Sequence, residues 1–395
     1  MSSKVKKGFK IAGIVLLAIV LCVAIVLAAI FINAYVVGKK SVAAQEARLQ
    51  ELEARYSQDY TPIDEQAFAS FDLEANADTP VNEVQFLGTH NSYKNSASFV
   101  SGIVNWVTAT LIDRADGDIY DYVFEPLSTQ LDQGVRSFEL DLLAKKEDQF
   151  LCSHHALFDP SSSCLNFRMA LQELKLWSDA NPDHMPVTVL IELKDWLLPM
   201  PGNQPFNTDT MRALDRLLQE ELGDSLYRPA DMMGSHANLQ EALDAEGWPT
   251  LSELRGKFLF ILHPNKISEE YVTSDGTMQS QSLFPMLDGS PELRASKTAG
   301  TELPWQKNAV IFMLNFPDSQ FDEIRQWKAA GYLVRTRSDS YPGFDEGVAQ
   351  QAVDSGANII STDRPPFSGG GSMRDAGIVF YPDGQHTMIL DENME

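Results

Sequence analysis

From Ile11 to Ala34 the chain runs for 24 residues without a charge, interrupted weakly by Gly13 and Asn33 alone. As a helix, a run of that length covers a hydrocarbon core of about 30 Å, and a helix satisfies every backbone N–H and C=O within its own segment. Lys4, Lys6, Lys7 and Lys10 precede it. The positive-inside rule therefore puts residues 1–10 in the cytoplasm, a single transmembrane helix over 11–38, and the remainder in a periplasm or outside the cell. A cleaved signal peptide is the competing reading, but its apolar core spans about 7–15 residues.

Beyond the span, Ser41 to Tyr56 reads as a short stalk helix with Ala44, Leu49, Leu52 and Tyr56 along one side. Residues 59–79 are acidic and bracketed by Pro62 and Pro80, as in a linker or an arm packed on the following domain. Residues 39–80 thus form a juxtamembrane stalk and linker. The Gly-rich stretch from Ser368 to Ser372 closes the main domain and leaves 368–395 as a tail. With 31 Lys and Arg against 55 Asp and Glu, the formal charge of −24 argues against a nucleic-acid partner. An anionic substrate then needs a local positive charge or a metal ion.

Residues 81–367 alternate short apolar strands with helical stretches. Strands are expected at Val84–Gly88, Val135–Leu140, Gln149–Ser153, Val187–Leu193, Phe258–Leu262, Val310–Asn315, Tyr332–Thr336 and Ala357–Ser361, with amphipathic helices such as Phe167–Ala180 and Thr208–Leu222 between them. Eight strands in parallel βα units over this length suit an α/β fold, a (β/α)8 TIM-type barrel, with its site at the C-terminal ends of the strands. The link from Val135–Leu140 to Gln149–Ser153 is too brief for a full helix. An open doubly wound sheet is the alternative, but it would place a Gly-rich phosphate loop after its first strand, and none is present.

Polar residues of particular types cluster at the predicted strand ends. His90-Asn91 follows the first strand. Glu139 and Asp141, two apart on the second, share one face and would repel each other unless a cation lay between them or Arg136 paired with them. Ser153-His154-His155 ends the third. Glu192 ends a buried apolar strand with Lys194 two residues on, and Arg335 and Arg337 share a face farther along, where two guanidiniums suit a phosphate. Cys152 and Cys164 flank the histidine segment on the non-cytoplasmic side; a disulfide there would contribute about 3 kcal/mol, and two separate buried thiols are the alternative. His184, His236, His263 and His386 have no motif around them and read as ordinary surface or core histidines.

Thr89-His90-Asn91-Ser92-Tyr93, Gln130 to Arg136 leading into Glu139-Leu140-Asp141, the strand-end histidine, and Val189 to Lys194 together resemble the catalytic barrel of phosphoinositide-specific phospholipases C. Val334 to Asp339 and Ser361 to Pro365 are most similar to the calcium-dependent, phospholipase C-like branch of that superfamily. The resemblance covers roughly Val84 to Pro366.

It implies His90 and His154 as catalytic, with His155 the competing register, and Asn91, Glu139, Asp141 and Glu192 as ligands of Ca2+; such oxygen donors suit this ion better than zinc. Lys194, Arg335 and Arg337 are candidate substrate-binding residues. The expected protein is a membrane-anchored phosphodiesterase cleaving phosphatidylinositol or a related glycerophosphodiester by two-histidine acid/base catalysis. The alternatives are a glycerophosphodiester phosphodiesterase on the same barrel, which would carry Arg-Gly after its first histidine where Asn91-Ser92 stands, and a barrel without turnover acting as a binding module.

Overall fold

The computed structural model describes residues 3–111, 122–146, 148–153, 160–194, 202–339, 346–365 and 387–390. Among them are eleven strands: β1 (Val84–Thr89), β2 (Ser137–Lys145), β3 (Phe150–Cys152), β4 (Val187–Leu193), β5 (Asn203–Gln204), β6 (Phe258–Leu262), β7 (Leu283–Asp288), β8 (Ile311–Met313), β9 (Leu333–Arg337), β10 (Ile359–Thr362) and β11 (Met388–Leu390). Eight of these, β1, β2, β4 and β6 to β10, pair in parallel and in sequence. Parallel contacts of β1 with both β2 and β10 close the ring, giving the expected (β/α)8 barrel.

One strand in the expected set of eight was misassigned and another missed. The expected strand at Gln149–Ser153 is real but lies outside the ring: β3 folds back antiparallel on the overhanging end of β2, pairing Leu142 with Cys152. Its short connection leaves no room for a crossover helix. The missing barrel strand is β7, whose Pro285 lacks an N–H and reads against a central strand, yet pairs with Leu262 of β6. The helices at Phe167–Ala180 and Thr208–Leu222 occur at the expected bounds, each capped by an Asn side chain, Asn166 and Asn207, that accepts a first-turn N–H.

Period-two alternation sets which residues enter the barrel. Along β4, Val189, Ile191 and Leu193 pack outward with the aromatic and leucine side chains of the helices, whereas Leu190 joins the other apolar cluster and Glu192 shares its face. The parallel register sets Glu139 beside Leu190 and Asp141 beside Glu192. At Gly88 a Cβ would lie 3.0 Å from the Ser137 side chain and 3.3 Å from Ile359, so β1 approaches its neighbours as closely as it does because it has none there.

The N-terminal helix α1 (Ser3–Tyr56) runs unbroken for 54 residues, about 80 Å. Its apolar N-terminal part is long enough to cross a membrane and is exposed along its length. The stretch expected as a stalk lies on the barrel instead. Gln45, buried, exchanges two hydrogen bonds with the Asn166 backbone at 2.8 and 3.1 Å, and Arg48 donates to the Ser163 carbonyl and pairs with Glu173 at 3.1 Å. Leu52 is buried on the same side and Ala44 faces out.

The acidic segment after the helix closes the N-terminal end of the barrel. Arg136, fully buried, reaches Glu65 rather than the carboxylates of its own strand, with contacts of 2.5 and 3.2 Å. The guanidinium also lies 5.5 Å from the ring centres of Phe68 and Trp177. Gly134, at φ +90°, admits no side chain, since a Cβ would sit 2.6 Å from Phe68 and Thr387.

Candidate active site and metal centre

His90, Asn91 and Ser92 leave the end of β1 in a tight turn pinned from several sides. Asn91 adopts φ +50°, a left-handed conformation that Asn tolerates better than most residues. The Ser92 hydroxyl donates to the Thr89 carbonyl and accepts the Glu139 N–H at 2.9 Å. From the helix Leu127–Asp132, Gln130 accepts from the Thr89 hydroxyl and donates to the Ser92 carbonyl, both at 2.8 Å. Through this lock the Gln130 helix holds the histidine turn in place.

The turn presents the His90 ring to the mouth of the barrel. Nδ1 lies 2.7 Å from Asp363 Oδ1; a carboxylate can only accept, so Nδ1 carries the proton. Nε2 then faces inward, 3.7 Å from Glu139 Oε1 and 3.4 Å from Arg337 Nη1. Burial and Arg337 both push the imidazole pKa down, but Asp363 and Glu139 outweigh them and the net shift is upward. Arg337 also pairs with Asp363 at 2.8 Å and Asp339 at 3.2 Å. Against its burial, Asp363 is held below the usual carboxylate range by His90 and Arg337, whereas burial and the neighbouring Asp363 push Asp339 up.

Glu139, Glu192 and His263 converge, each offering a ligand atom within 4.8 Å of the others. Arg335 pairs with Glu139 and also bonds Asn315; Lys194 lies 2.5 Å from Glu192 and 3.3 Å from Asp141. Burial raises the carboxyl pKa of both glutamates, yet the cations win: Glu139 falls below its ordinary value through Arg335 and His90, and Glu192 through Lys194 and His263. Lys194 is correspondingly raised by Asp141 and Glu192 in spite of its burial. Asn91 donates from Nδ2 to the Tyr122 hydroxyl at 2.7 Å, and its Oδ1 lies 3.5 Å from the Tyr93 hydroxyl. Two converging carboxylates, with Asn91 and Asp141 on the same rim, make a donor set dominated by oxygen, and such a set fits a hard divalent cation.

His154 and His155 lie outside the described residues. The described chain reaches Ser153, whose N–H donates to the Asp141 carbonyl at 3.1 Å. Cys152 and Cys164 are both buried free thiols: Cys164 Sγ donates a hydrogen bond to Cys152 Sγ at 3.6 Å, against about 2.05 Å in a disulfide. Two rim residues were not recognised from sequence as part of the site. His263 was read as ordinary, yet it directly follows β6 and so occupies a strand-end position like His90. Asp363 stood within a recognised motif, but its orienting bond to His90 spans 273 residues and appears only on folding.

The family model of Ca2+-dependent phosphoinositide phospholipase C matches residues 79–150 and 151–372. The chain belongs to this family. Membership makes it a phospholipase C-like phosphodiesterase of the calcium-dependent branch. Among solved structures, a Ca2+-dependent phosphatidylinositol-specific phospholipase C from Streptomyces antibioticus superposes with TM-score 0.53 at 22% identity, covering 72% of this chain and 95% of its own. A calcium-dependent phosphoinositol-specific phospholipase C from a Gram-negative Pseudomonas species gives TM-score 0.56 at 18% identity, covering 83% and 99%. At these identities the two likenesses speak for the barrel itself. No curated protein matches the sequence of this phospholipase C-like chain.

Proposed function

We propose that the protein is a membrane-anchored, calcium-dependent phosphodiesterase that cleaves phosphatidylinositol or a related glycerophosphodiester. One observation carries the reading: a His90–Asp363 pair stands beside converging Glu139 and Glu192 at the barrel mouth. Asn91, Glu139, Asp141 and Glu192 would hold the ion, with His263 as a further neighbour. When bound, calcium supplies a Lewis acid that acidifies an attacking hydroxyl and shields charge on the phosphoryl oxygens.

The protein's own groups do the rest. Asp363 keeps the proton on Nδ1, so His90 Nε2 can take a proton from the inositol hydroxyl next to the phosphodiester, and Arg337 beside it holds a phosphoryl oxygen. His154, on the segment that begins at Ser153, protonates the departing glycerol oxygen. Lys194 and Arg335 are engaged with carboxylates, and we assign them to balancing the acidic rim as well as to the substrate. The N-terminal helix spans the membrane with its lysines in the cytoplasm and the barrel, residues 81–367, on the other side.

The test is turnover by the full chain of phosphatidylinositol, lysophosphatidylinositol and glycerophosphoinositol, in calcium and in chelator. An inositol cyclic phosphate product in calcium alone supports attack by the neighbouring hydroxyl; undiminished activity in chelator overturns the metal's role. His90→Ala and His154→Ala are each expected to lower kcat by at least about a hundredfold, with His155→Ala mild. A severe loss in His155→Ala instead would move the second role to that residue.

A further inference from the structure

The helix that follows the His90 turn, α2 (Phe99–Leu111), is built inside out. It carries no charge, its buried side holds Ser101, Asn105, Thr108 and Ala109, and its large apolar side chains face away from the barrel. Phe99 is 83% exposed, Ile103 51%, Trp106 55% and Leu111 71%, with Val107 beside them. Their spacing of four, three, one and four residues makes one continuous stripe. In water such a stripe is unfavourable; at a bilayer surface it is the face that inserts, and Trp is the residue enriched at that depth.

The same helix is fastened to the N-terminal span. Asn33 interrupts the apolar run of α1, and a side-chain amide there is costly unless paired. Its Nδ2 donates to Ser101 Oγ at 3.0 Å, and its Oδ1 accepts from Ser98 Oγ at 2.8 Å. Ser98 in turn caps α2, accepting the Ser101 N–H at 3.1 Å. The start of α2 is thereby fixed at the outer end of the apolar run, where the bare surface of the span continues into the apolar stripe. The protein's net charge of −24 disfavours attraction to anionic lipid, which leaves apolar insertion as the means of contact.

We infer that α2 is a second, interfacial membrane element, clasped to α1 through Asn33, Ser98 and Ser101, and that it seats the barrel mouth on the outer leaflet of the bilayer that holds the anchor. The inference rests on the proposed reading of α1 as a membrane span. Because α2 begins nine residues after His90, the site is held at a fixed height over its own membrane and takes lipid substrate from that leaflet.

The full-length protein, reconstituted in phosphatidylcholine vesicles containing phosphatidylinositol, tests this. The fluorescence of Trp106, read as the difference between the parent and Trp106→Phe, is expected to be quenched by phosphatidylcholine brominated on its acyl chains and shielded from aqueous acrylamide. Asn33→Leu, which keeps the span apolar but removes the clasp, is expected to reduce that bromolipid quenching. Ile103→Ser combined with Trp106→Ser is expected to lower turnover of vesicle phosphatidylinositol about tenfold relative to detergent-dispersed substrate. Acrylamide quenching without bromolipid quenching, in protein that resists alkaline carbonate extraction, overturns the interfacial role of α2 and indicates a protein partner for the stripe. Release of the protein by carbonate overturns the span itself, a separate failure.

Discussion

The two ends of the barrel hold buried charge in opposite ways. At the N-terminal end, Arg136 and Glu65 form a matched pair sandwiched between Phe68 and Trp177. At the C-terminal end, Glu139, Asp141, Glu192, Asp339 and Asp363 face three permanent cations, Lys194, Arg335 and Arg337, among the described residues. A matched pair has no capacity left for a ligand. An acidic surplus, in which Glu139, Glu192 and Asp363 are held below the usual carboxylate range by their cationic neighbours, keeps capacity for a divalent cation. Between the two ends the barrel strands carry no charged residue other than those toward the mouth; the buried polar positions there include hydroxyls such as Ser137 and Thr188, which bond each other at 2.8 Å.

Glu139→Gln should give the largest effect. It removes a converging carboxylate at the mouth, and a metal contribution of several kcal/mol corresponds to roughly a thousandfold in kcat/KM. Calcium should raise the Tm of the parent and not that of the variant. Equal calcium-induced shifts in both proteins would dissolve the contrast between the ends. At the other end, Glu65→Gln strands a buried guanidinium and should cost about 3–5 kcal/mol in denaturant unfolding while the calcium shift persists. A loss below about 1 kcal/mol would show that Arg136 finds water or another acceptor.

Lys194→Met should act oppositely to Glu139→Gln on metal binding. With the ammonium gone from between Asp141 and Glu192, the rim is more acidic, and calcium affinity measured by calorimetry should rise about tenfold. Weaker calcium binding in Lys194→Met would mean that the lysine positions the carboxylates rather than competing for them.

How much of this was legible in the sequence depends on the range of the interaction concerned. The strands β4 and β6 and the helices Phe167–Ala180 and Thr208–Leu222 were readable to the residue because period and cap are local signals. The common face of Glu139 and Asp141 was readable from their two-residue spacing on a strand, and Glu192 stood out as a carboxylate ending a buried apolar strand. By contrast, Pro285 hid β7, since its strand role depends on neighbours the sequence does not display. The brevity of the link to β3 was visible, but not that the strand reverses and leaves the ring. Arg136 looked like a partner for the acidic pair three and five residues on, yet alternation and the Glu65 arm carry it to the far end. His263 had a local cue in its place directly after β6, whereas the bond that brings Asp363 to His90 spans 273 residues.

The smallest expected effect sharpens the comparison at the N-terminal end, where His184 is the titratable neighbour of the matched pair. Its ring is buried between Trp177 and Phe258, with Nε2 2.9 Å from the Ser178 hydroxyl and Nδ1 2.7 Å from the Met185 carbonyl. Burial, aided by Arg136 and opposed by the Met185 carbonyl, lowers its pKa to about 4. The unfolded chain therefore takes up a proton below about pH 6.5 that the folded protein refuses, and stability falls as pH drops through the window from 6.5 toward 4. Between pH 6.5 and 5.5 this amounts to about 1 kcal/mol. Asp215, whose carboxyl burial raises to about 6, works in the opposite sense, because the folded state then holds a proton that the unfolded state releases. The readout is accordingly the difference in pH slope between the parent and His184→Asn in urea unfolding at the two pH values. A flatter acid slope in the variant places the proton-refusing group at the barrel base; identical slopes would assign the acid sensitivity of the fold to the carboxylate-rich mouth instead.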